Sequence, residues 1–411
     1  MQSPSETVLD PNGQVLAAPQ GSYGLANAAR QVLFGVLLVR ASLDNALNAL
    51  GGPIGAVLNI VVIAAAVILL RASSGDKRNA IGPVWPIFFV LCGFSILHTP
   101  DKVGAVRYLA TLLTYCALFA APFGLIRHPR DIVKILNVII ASSAVPIIYG
   151  FIRFDAERAQ STFPHPNIFA FYLAVLLITL VFVWFSRLYS HTTAERALLA
   201  GVGGAASLLL VMTQTRGAWV GIALAFGLIA LLHHRKLLWG ALFAPLLLLV
   251  PQIQERLLDL KGETEFIGNG IIVNSYEWRL MLWDAAFTWI RQDPIFGYGL
   301  FSFQIHAPTF FFLDTEGFNA HSVYVQLLFE TGVFGFLAYV ALFLWIAWGA
   351  LKNYRRSREA AAFTIALVAF YMSICYSDNI LGYLSFNWYF WLLLGTLRAS
   401  MLLRLTDEAD A

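Results

Sequence analysis

Residues 166–187 read PNIFAFYLAVLLITLVFVWFSR, with no charged side chain before Arg187. A helix rises about 1.5 Å per residue, so roughly twenty such residues cross a hydrocarbon core of about 30 Å. A run that is apolar all round suits lipid or a deep bundle interior and leaves no face for water. This stretch is therefore read as a transmembrane helix, and it sets the reading of the rest.

Outward from it, similar runs recur at 29–50, 54–71, 84–99, 105–126, 131–152, 195–214, 217–233, 236–251, 321–350, 359–377 and 380–402. The fold class expected is an all-α polytopic membrane protein of about twelve transmembrane helices. The first run contains Arg40 and Asp44, and the third is short. Hydrophobic residues make up 59% of the 411 and charged ones only 12%, far from the soluble average of about a quarter charged. A soluble multidomain enzyme is thereby excluded. The net charge of +3 marks no nucleic-acid surface. Cys92, Cys116 and Cys375 lie inside apolar runs without ligand-like spacing, so neither a disulfide nor a metal centre is expected.

Orientation follows from Lys and Arg, which accumulate on the cytoplasmic side. One set of connections is basic, with Lys77/Arg78, Arg127/Arg130/Lys134, Arg187/Arg196, Arg235/Lys236 and Lys352/Arg355/Arg356/Arg358. The alternate connections, around 51–53, 100–104, 153–165, 215–216 and 378–379, hold few cations. Both termini are thus expected in the cytoplasm, as tails 1–28 and 403–411. Helices 1–9 occupy 29–251 and helices 10–12 occupy 321–402. The segment 252–320 becomes one large loop on the outer face, periplasmic in a Gram-negative cell.

Inside that loop, Asn274-Ser275-Tyr276-Glu277 has the form of a capping box. Trp278, Met281, Leu282, Ala285, Ala286 and Trp289 then recur at helical spacing, predicting an amphipathic helix over about 275–292 that stops before Pro294. Arg279 stands near its start. Gly297-Tyr298-Gly299 follows as a turn where backbone can approach a ligand, although chain reversal alone also explains it. Asn319-Ala320-His321-Ser322 opens the tenth span and places His321 in a first helical turn, where the dipole favours a neutral imidazole able to act as a base. Asp314 and Glu316 are candidates to orient that ring.

Two further outer connections bring cations. Thr215-Arg216-Gly217 holds Arg216 at the membrane boundary, opposite to the topological preference, and ionisable groups at membrane depth default to a functional hypothesis. Arg153 and Arg158 flank an acidic pair ahead of Ser161-Thr162-Phe163-Pro164-His165-Pro166-Asn167. Arg153 has a structural alternative in pairing with Asp155 or Glu157, and Pro166-Asn167 in simply starting a helix. The chain contains neither Asp-x-Asp nor a phosphate-binding Gly-Lys loop, the devices of nucleotide-sugar and nucleotide enzymes. Arginine forks without a metal at the outer edge of a bilayer suit a pyrophosphate carried on a lipid.

The pattern resembles the bacterial O-antigen ligase family, related to O-antigen polymerases and protein O-oligosaccharyltransferases. Three blocks carry the resemblance: Thr215-Arg216-Gly217; Arg279-x-x-x-Trp283 leading to Gly297-Tyr298-Gly299; and Asn319-Ala320-His321-Ser322 leading to Glu330-Thr331-Gly332. The 163–167 stretch is similar to a further family element, with Pro164-His165 where Gly or Asn residues are expected. The resemblance covers the chain from the second span onward. It implies inverting, metal-independent transfer of O-antigen from undecaprenyl pyrophosphate to the lipid A core oligosaccharide at the periplasmic face of the inner membrane, with no cofactor. The catalytic residues it implies are His321, Arg279 and Arg216, and the substrate-binding residues Arg153, Arg158, Asn167, Trp283, Gly297, Tyr298, Gly299 and Asn319. A polymerase or protein-directed transferase would use the same donor site. A lipid-linked-glycan flippase is the non-enzymatic alternative, but it should line a path through the bundle with cations rather than gather them at one mouth.

Overall fold

A computed structural model describes residues 8–9, 15–16, 20–50, 52–73, 78–153, 158–237, 266–267, 271–272, 275–313 and 317–403. Among these, the helices in chain order are α1 Gln20–Arg40, α2 Asp44–Ala49, α3 Gly52–Ala72, α4 Arg78–Ile81, α5 Val84–Ser95, α6 Lys102–Ala120, α7 Pro122–Leu125, α8 Pro129–Ala141 and α9 Ala144–Ile152. There follow α10 Pro166–Phe185, α11 Thr193–Met212, α12 Arg216–Leu232, α13 Ser275–Ile290, α14 Phe303–Phe310, α15 Val323–Asn353, α16 Arg358–Ser377 and α17 Leu384–Leu402. Two antiparallel ladders of two residues each, Val8–Leu9 with Val15–Leu16 and Phe266–Ile267 with Ile271–Ile272, complete the regular structure.

Among the described residues, seven stretches are long and apolar enough to cross a membrane: Ile54–Ala72, Lys102–Leu125, Pro129–Ile152, Pro166–Phe185, Thr193–Met212, Val323–Asn353 and Arg358–Ser377. Val84–Ser95 and Arg216–Leu232 are apolar but shorter. The described residues thus form a predominantly helical, polytopic bundle, while several expected spans differ in form. The expected run 29–50 begins earlier, at Gln20, inside the stretch read as a tail, and breaks at residues 41–43 between α1 and α2. The run 131–152 breaks at Ser142-Ser143, whose hydroxyls turn back to the carbonyls of Ile139 and Ile140. The run 236–251 falls almost wholly outside the described residues.

Two helices form the centre. In α10 nearly every side chain from Ile168 to Val183 is buried, and in α17 nearly every one from Ser385 to Met401. Around α17 lie Trp85, Phe119, Phe343, Tyr371 and Trp391, with ring centroids 5.0 to 6.1 Å apart along the chain of contacts. Water does not drive helices together inside lipid, so such interdigitated rings bind by dispersion and quadrupole contacts. By contrast α11 buries little beyond Ala206, Leu209 and Leu210, as expected of a lipid-facing helix. Arg40 at the end of α1 and Asp44 at the start of α2, both buried, meet at 2.6 Å, which explains how the run 29–50 carries two charges: each neutralises the other, and Ser385 donates to the Asp44 carboxylate at 2.8 Å.

The feature that fixes the loop is a break in α15. At Gly332 the backbone turns to φ +63°, ψ −171°, so the carbonyls of Phe329 and Glu330 lose their helical partners. An unpaired buried carbonyl is costly, and the loop turn supplies the missing donors. Tyr298 N–H donates to Phe329 O at 2.9 Å, Gly299 N–H to Glu330 O at 3.0 Å, and Val333 N–H to Pro294 O at 2.8 Å. The turn can come this close only through glycine. Gly297 has φ +69°, and a Cβ there would lie 2.7 Å from Gly332 N.

Gly297→Val should therefore destabilise the protein by more than about 1 kcal/mol, through positive φ and the steric clash together. Thermal unfolding of the purified protein in detergent checks this, the expected outcome being a midpoint several degrees below that of the parent.

Candidate active site

The connections ahead of α10, ahead of α12 and after α16 meet at one end of the bundle, because these three helices lie side by side. Their meeting point is a carboxylate. Asp378, 2% exposed, directly follows α16. Its oxygens accept from Asn167 Nδ2 at 2.7 Å, from Asn379 N–H at 2.9 Å, and from the Tyr383 hydroxyl at 3.0 Å. A buried carboxylate demands such donors, since without them its desolvation would be prohibitive.

Asn167 carries the network outward. Its Oδ1 accepts from Arg158 Nη2 at 2.9 Å and from Thr215 Oγ1 at 3.2 Å. Arg158 also donates from Nη2 to Thr215 Oγ1 at 3.1 Å and from Nε to Thr213 O at 2.8 Å. The planar guanidinium thus ties the 158–167 connection to the Thr213–Thr215 turn, a use that its fork geometry favours over lysine. Thr215 stands at the N-cap position of α12 and Arg216 is the first helical residue. A cation there opposes the helix dipole, while Arg216 and the positive end of that dipole together favour an anion. Gly217 lets this turn lie against the end of α16, since a Cβ would come 2.5 Å from Ser377 Oγ.

His321 does not occupy the first turn of its helix. α15 starts at Val323 with Ser322 as its extended N-cap residue, and His321 precedes it with φ +47°. The left-handed backbone is held by Asn319, whose Oδ1 accepts from His321 N–H at 2.8 Å, and by Trp283, whose indole N–H donates to Ala320 O at 2.7 Å. The imidazole packs edge-on to Trp278 with centroids 5.6 Å apart and directs Nδ1 toward Asp378 Oδ1 at 3.9 Å. That separation is within ion-pair range and longer than a hydrogen bond. Asp314 and Glu316, the expected orienting acids, lie outside the described residues.

α13 forms over Ser275–Ile290, close to the amphipathic helix expected from the sequence. It buries Leu282, Trp283, Ala286 and Ile290 against Phe303, Phe311 and Phe329, though Leu280 and Phe287 remain exposed on its other side. Arg279, one turn before Trp283, is close enough to Tyr383 to act on the phenol electrostatically. Among the described residues it makes no hydrogen bond or ion pair.

The fold thus gathers Arg158, Asn167, Arg216, Arg279, Asn319 and His321. Arg153 turns back on its own helix, donating to the Tyr149 hydroxyl at 3.2 Å and stacking over that ring. Gly297, Tyr298 and Gly299 serve the α15 break, and the Tyr298 hydroxyl donates to Trp289 O at 2.9 Å. Sequence reasoning missed Asp378 and Tyr383. The signal available was a lone acid in a short connection between two apolar runs, where an ionisable group at membrane depth calls for a partner. His165 is also near. Its Nδ1 accepts from Asn167 N–H at 3.1 Å; desolvation lowers its pKa, Asp378 opposes that, and the Arg158 cation adds to it.

Residues 200–340 match the family model described as O-antigen ligase. In this stretch the chain is similar to the O-antigen ligase family. The match takes in Arg216, Arg279 and His321, while Arg158 lies before it and Asp378 after it. The family is one of glycosyl-transferring membrane enzymes of ligase and polymerase type. No curated protein matches the chain.

Two outcomes follow from this geometry. Asn167→Ala leaves Asp378 and Arg158 each short of a buried partner and should cost about 1–3 kcal/mol, read as a lower unfolding midpoint in detergent. Because the folded-state pKa of His165 is depressed below its ordinary 6.5, its contribution is full above that value and is lost as pH falls through the folded pKa. The midpoint should decline less steeply below pH 6.5 in His165→Gln than in the parent protein.

Proposed function

We propose that this protein joins an O-antigen polysaccharide, delivered on undecaprenyl pyrophosphate, to a hydroxyl of the lipid A core oligosaccharide at the periplasmic face of the inner membrane. The observation that carries the reading is the convergence of the His321 imidazole, the Asp378 carboxylate and the cations Arg216 and Arg279 at one end of the bundle, within a chain similar to the O-antigen ligase family. The proposed arrangement has twelve spans, both termini in the cytoplasm, and residues 252–320 as the large periplasmic loop.

In the reaction, the ring nitrogen of His321 that faces away from Asp378, Nε2, takes the proton of the acceptor hydroxyl. The freed oxygen attacks the anomeric carbon of the first sugar on the side opposite the pyrophosphate, and the bond from that carbon to the pyrophosphate oxygen breaks. The configuration inverts, and undecaprenyl pyrophosphate leaves with the electron pair. Arg216, the N-terminus of α12 and Arg279 stabilise the charge that develops on it. Asp378 holds the imidazole in orientation and stabilises its protonated form, the role a carboxylate plays beside any catalytic histidine. Trp283 and Asn319 fix the backbone that presents the ring, while Arg158 and Asn167 hold the wall facing it. Paired phosphates are met by paired guanidinium groups, so the reaction proceeds without a metal ion.

His321→Ala and Arg279→Ala should each lower transfer by about 10²–10⁴-fold while leaving folding intact. A reconstituted assay with lipid-linked polysaccharide and rough lipopolysaccharide measures this, and the same rate with and without EDTA is expected. Full activity in either well-folded variant would sink the assignment. In cells, loss of the gene should remove the whole capped lipopolysaccharide ladder; survival of a single-repeat cap would instead indicate a polymerase.

A further inference from the structure

The three helices that bring the site together also end together on the far side. α10, α12 and α16 contain 20, 17 and 20 residues, which places Phe185, Leu232 and Arg358 roughly 25–30 Å from the Asp378 end, the thickness of a hydrocarbon core. A cavity of about 580 Å³ opens there. One wall is apolar, formed by Phe185, Leu231 and Leu232, and the other basic, formed by Arg235, Lys236 and Arg358. Phe185 lines a second space as well, a groove of about 310 Å³ between α10, α11 and α12. Leu180, Trp184, Leu199 and Phe226 make that groove apolar. A cationic cup and a hydrocarbon-lined groove that share Phe185 as a wall have the two halves of a lipid site.

We propose that this end of the protein binds one anionic glycerophospholipid, its phosphate among Arg235, Lys236 and Arg358 and an acyl chain in the groove between α10 and α11. The potential in the cup has the required sign. Burial, and then the Arg358 and Arg187 cations, hold the His233 imidazole below its ordinary pKa, and burial pushes His234 down to about 4. Both rings are neutral at pH 7 and offer N–H groups, which suit a phosphate oxygen. His233, His234 and Glu359 have ligand atoms within 4.8 Å of one another, but the surrounding Arg187, Arg235, Lys236 and Arg358 repel a divalent cation and attract an anion. Basic pockets between helices on the cytoplasmic side are suited to acidic headgroups.

The test uses the full-length protein, delipidated in a nonionic detergent, and reads bound lipid by native mass spectrometry and stability by thermal unfolding. Phosphatidylglycerol should be retained and should raise the unfolding midpoint, whereas phosphatidylcholine of the same chain length should do neither at equal concentration. The double neutralisation Lys236→Gln/Arg358→Gln should weaken phosphatidylglycerol binding roughly thirtyfold, from two lost surface cations. Gly203→Phe tests the groove separately. Within 4 Å a Cβ at Gly203 meets only Leu180 Cδ1, at 3.9 Å, so the added ring enters the groove and should abolish retention while leaving the lipid-free midpoint in place. Equal retention of the two lipids, or unchanged retention in both variants, would overturn the proposal. Stabilisation by inorganic phosphate equal to that by phosphatidylglycerol would overturn it too, marking a bare anion site. Lipid binding is read directly, so its failure is distinct from any failure of glycan transfer.

Discussion

One buried carboxylate sets the terms for the reactive end of the molecule. Asp378 sits where water cannot satisfy it, and three donors from three directions close on its oxygens. Each donor commits a different piece of chain: Asn167 opens α10, Asn379 begins the last connection, and Tyr383 leads into α17. Through Asn167 the constraint passes to Arg158 and on to the turn before Arg216. The position of the cations is therefore a consequence of satisfying an acid. A catalytic group needs such a supporting shell, because an unsupported long side chain loses its geometry to rotamer freedom.

A second constraint orients the loop. By interrupting α15, Gly332 leaves carbonyls that need donors from outside the helix; the Pro294–Gly299 turn provides backbone donors, and the Ser95 hydroxyl adds one to Glu330 O. Glu330, on the same turn of helix, accepts from Gln326 and from Phe303 N–H, so α14 is keyed to the break as well. Gln326 in turn accepts from Ala320 N–H at 2.9 Å. The residues just before His321 are thus connected to the break by a short relay of buried polar groups, and the loop helix, the turn and the histidine share one frame.

How far the sequence foretold this depends on the kind of signal. Long apolar runs such as 166–185 declare themselves, because twenty uncharged residues have few other uses. The loop helix was legible from the helical spacing of its apolar residues. Local breaks were not legible: α1 and α2 separate at residues 41–43, and α15 changes course at Gly332, where a tertiary hydrogen-bonding partner decides and no periodicity records it. Asp378 escaped because a single acid has no spacing to read, and its importance lies in partners 211 and 5 residues away. From sequence, the Gly297-Tyr298-Gly299 turn fits a ligand approach or plain chain reversal. What approaches there is the protein's own backbone.

The last helix has a consequence for how such a chain is built. Leu384–Leu402 carries Ser385, Asn387, Thr396 and Arg398, and it falls short of the apolarity that marks the seven spans. Every one of these groups has a partner supplied by the bundle or by the helix's own approach: Ser385 meets Asp44, Asn387 meets the Tyr371 hydroxyl and Ile380 O, Thr396 bonds Leu392 O, and the Arg398 guanidinium lies 3.8 Å from the Trp345 ring centroid. A segment of this composition gains little by partitioning into bare lipid, yet much by entering a cleft already lined with matching groups. Its insertion depends on those neighbours being in place, which makes completion of the reactive end and completion of the membrane bundle a single event.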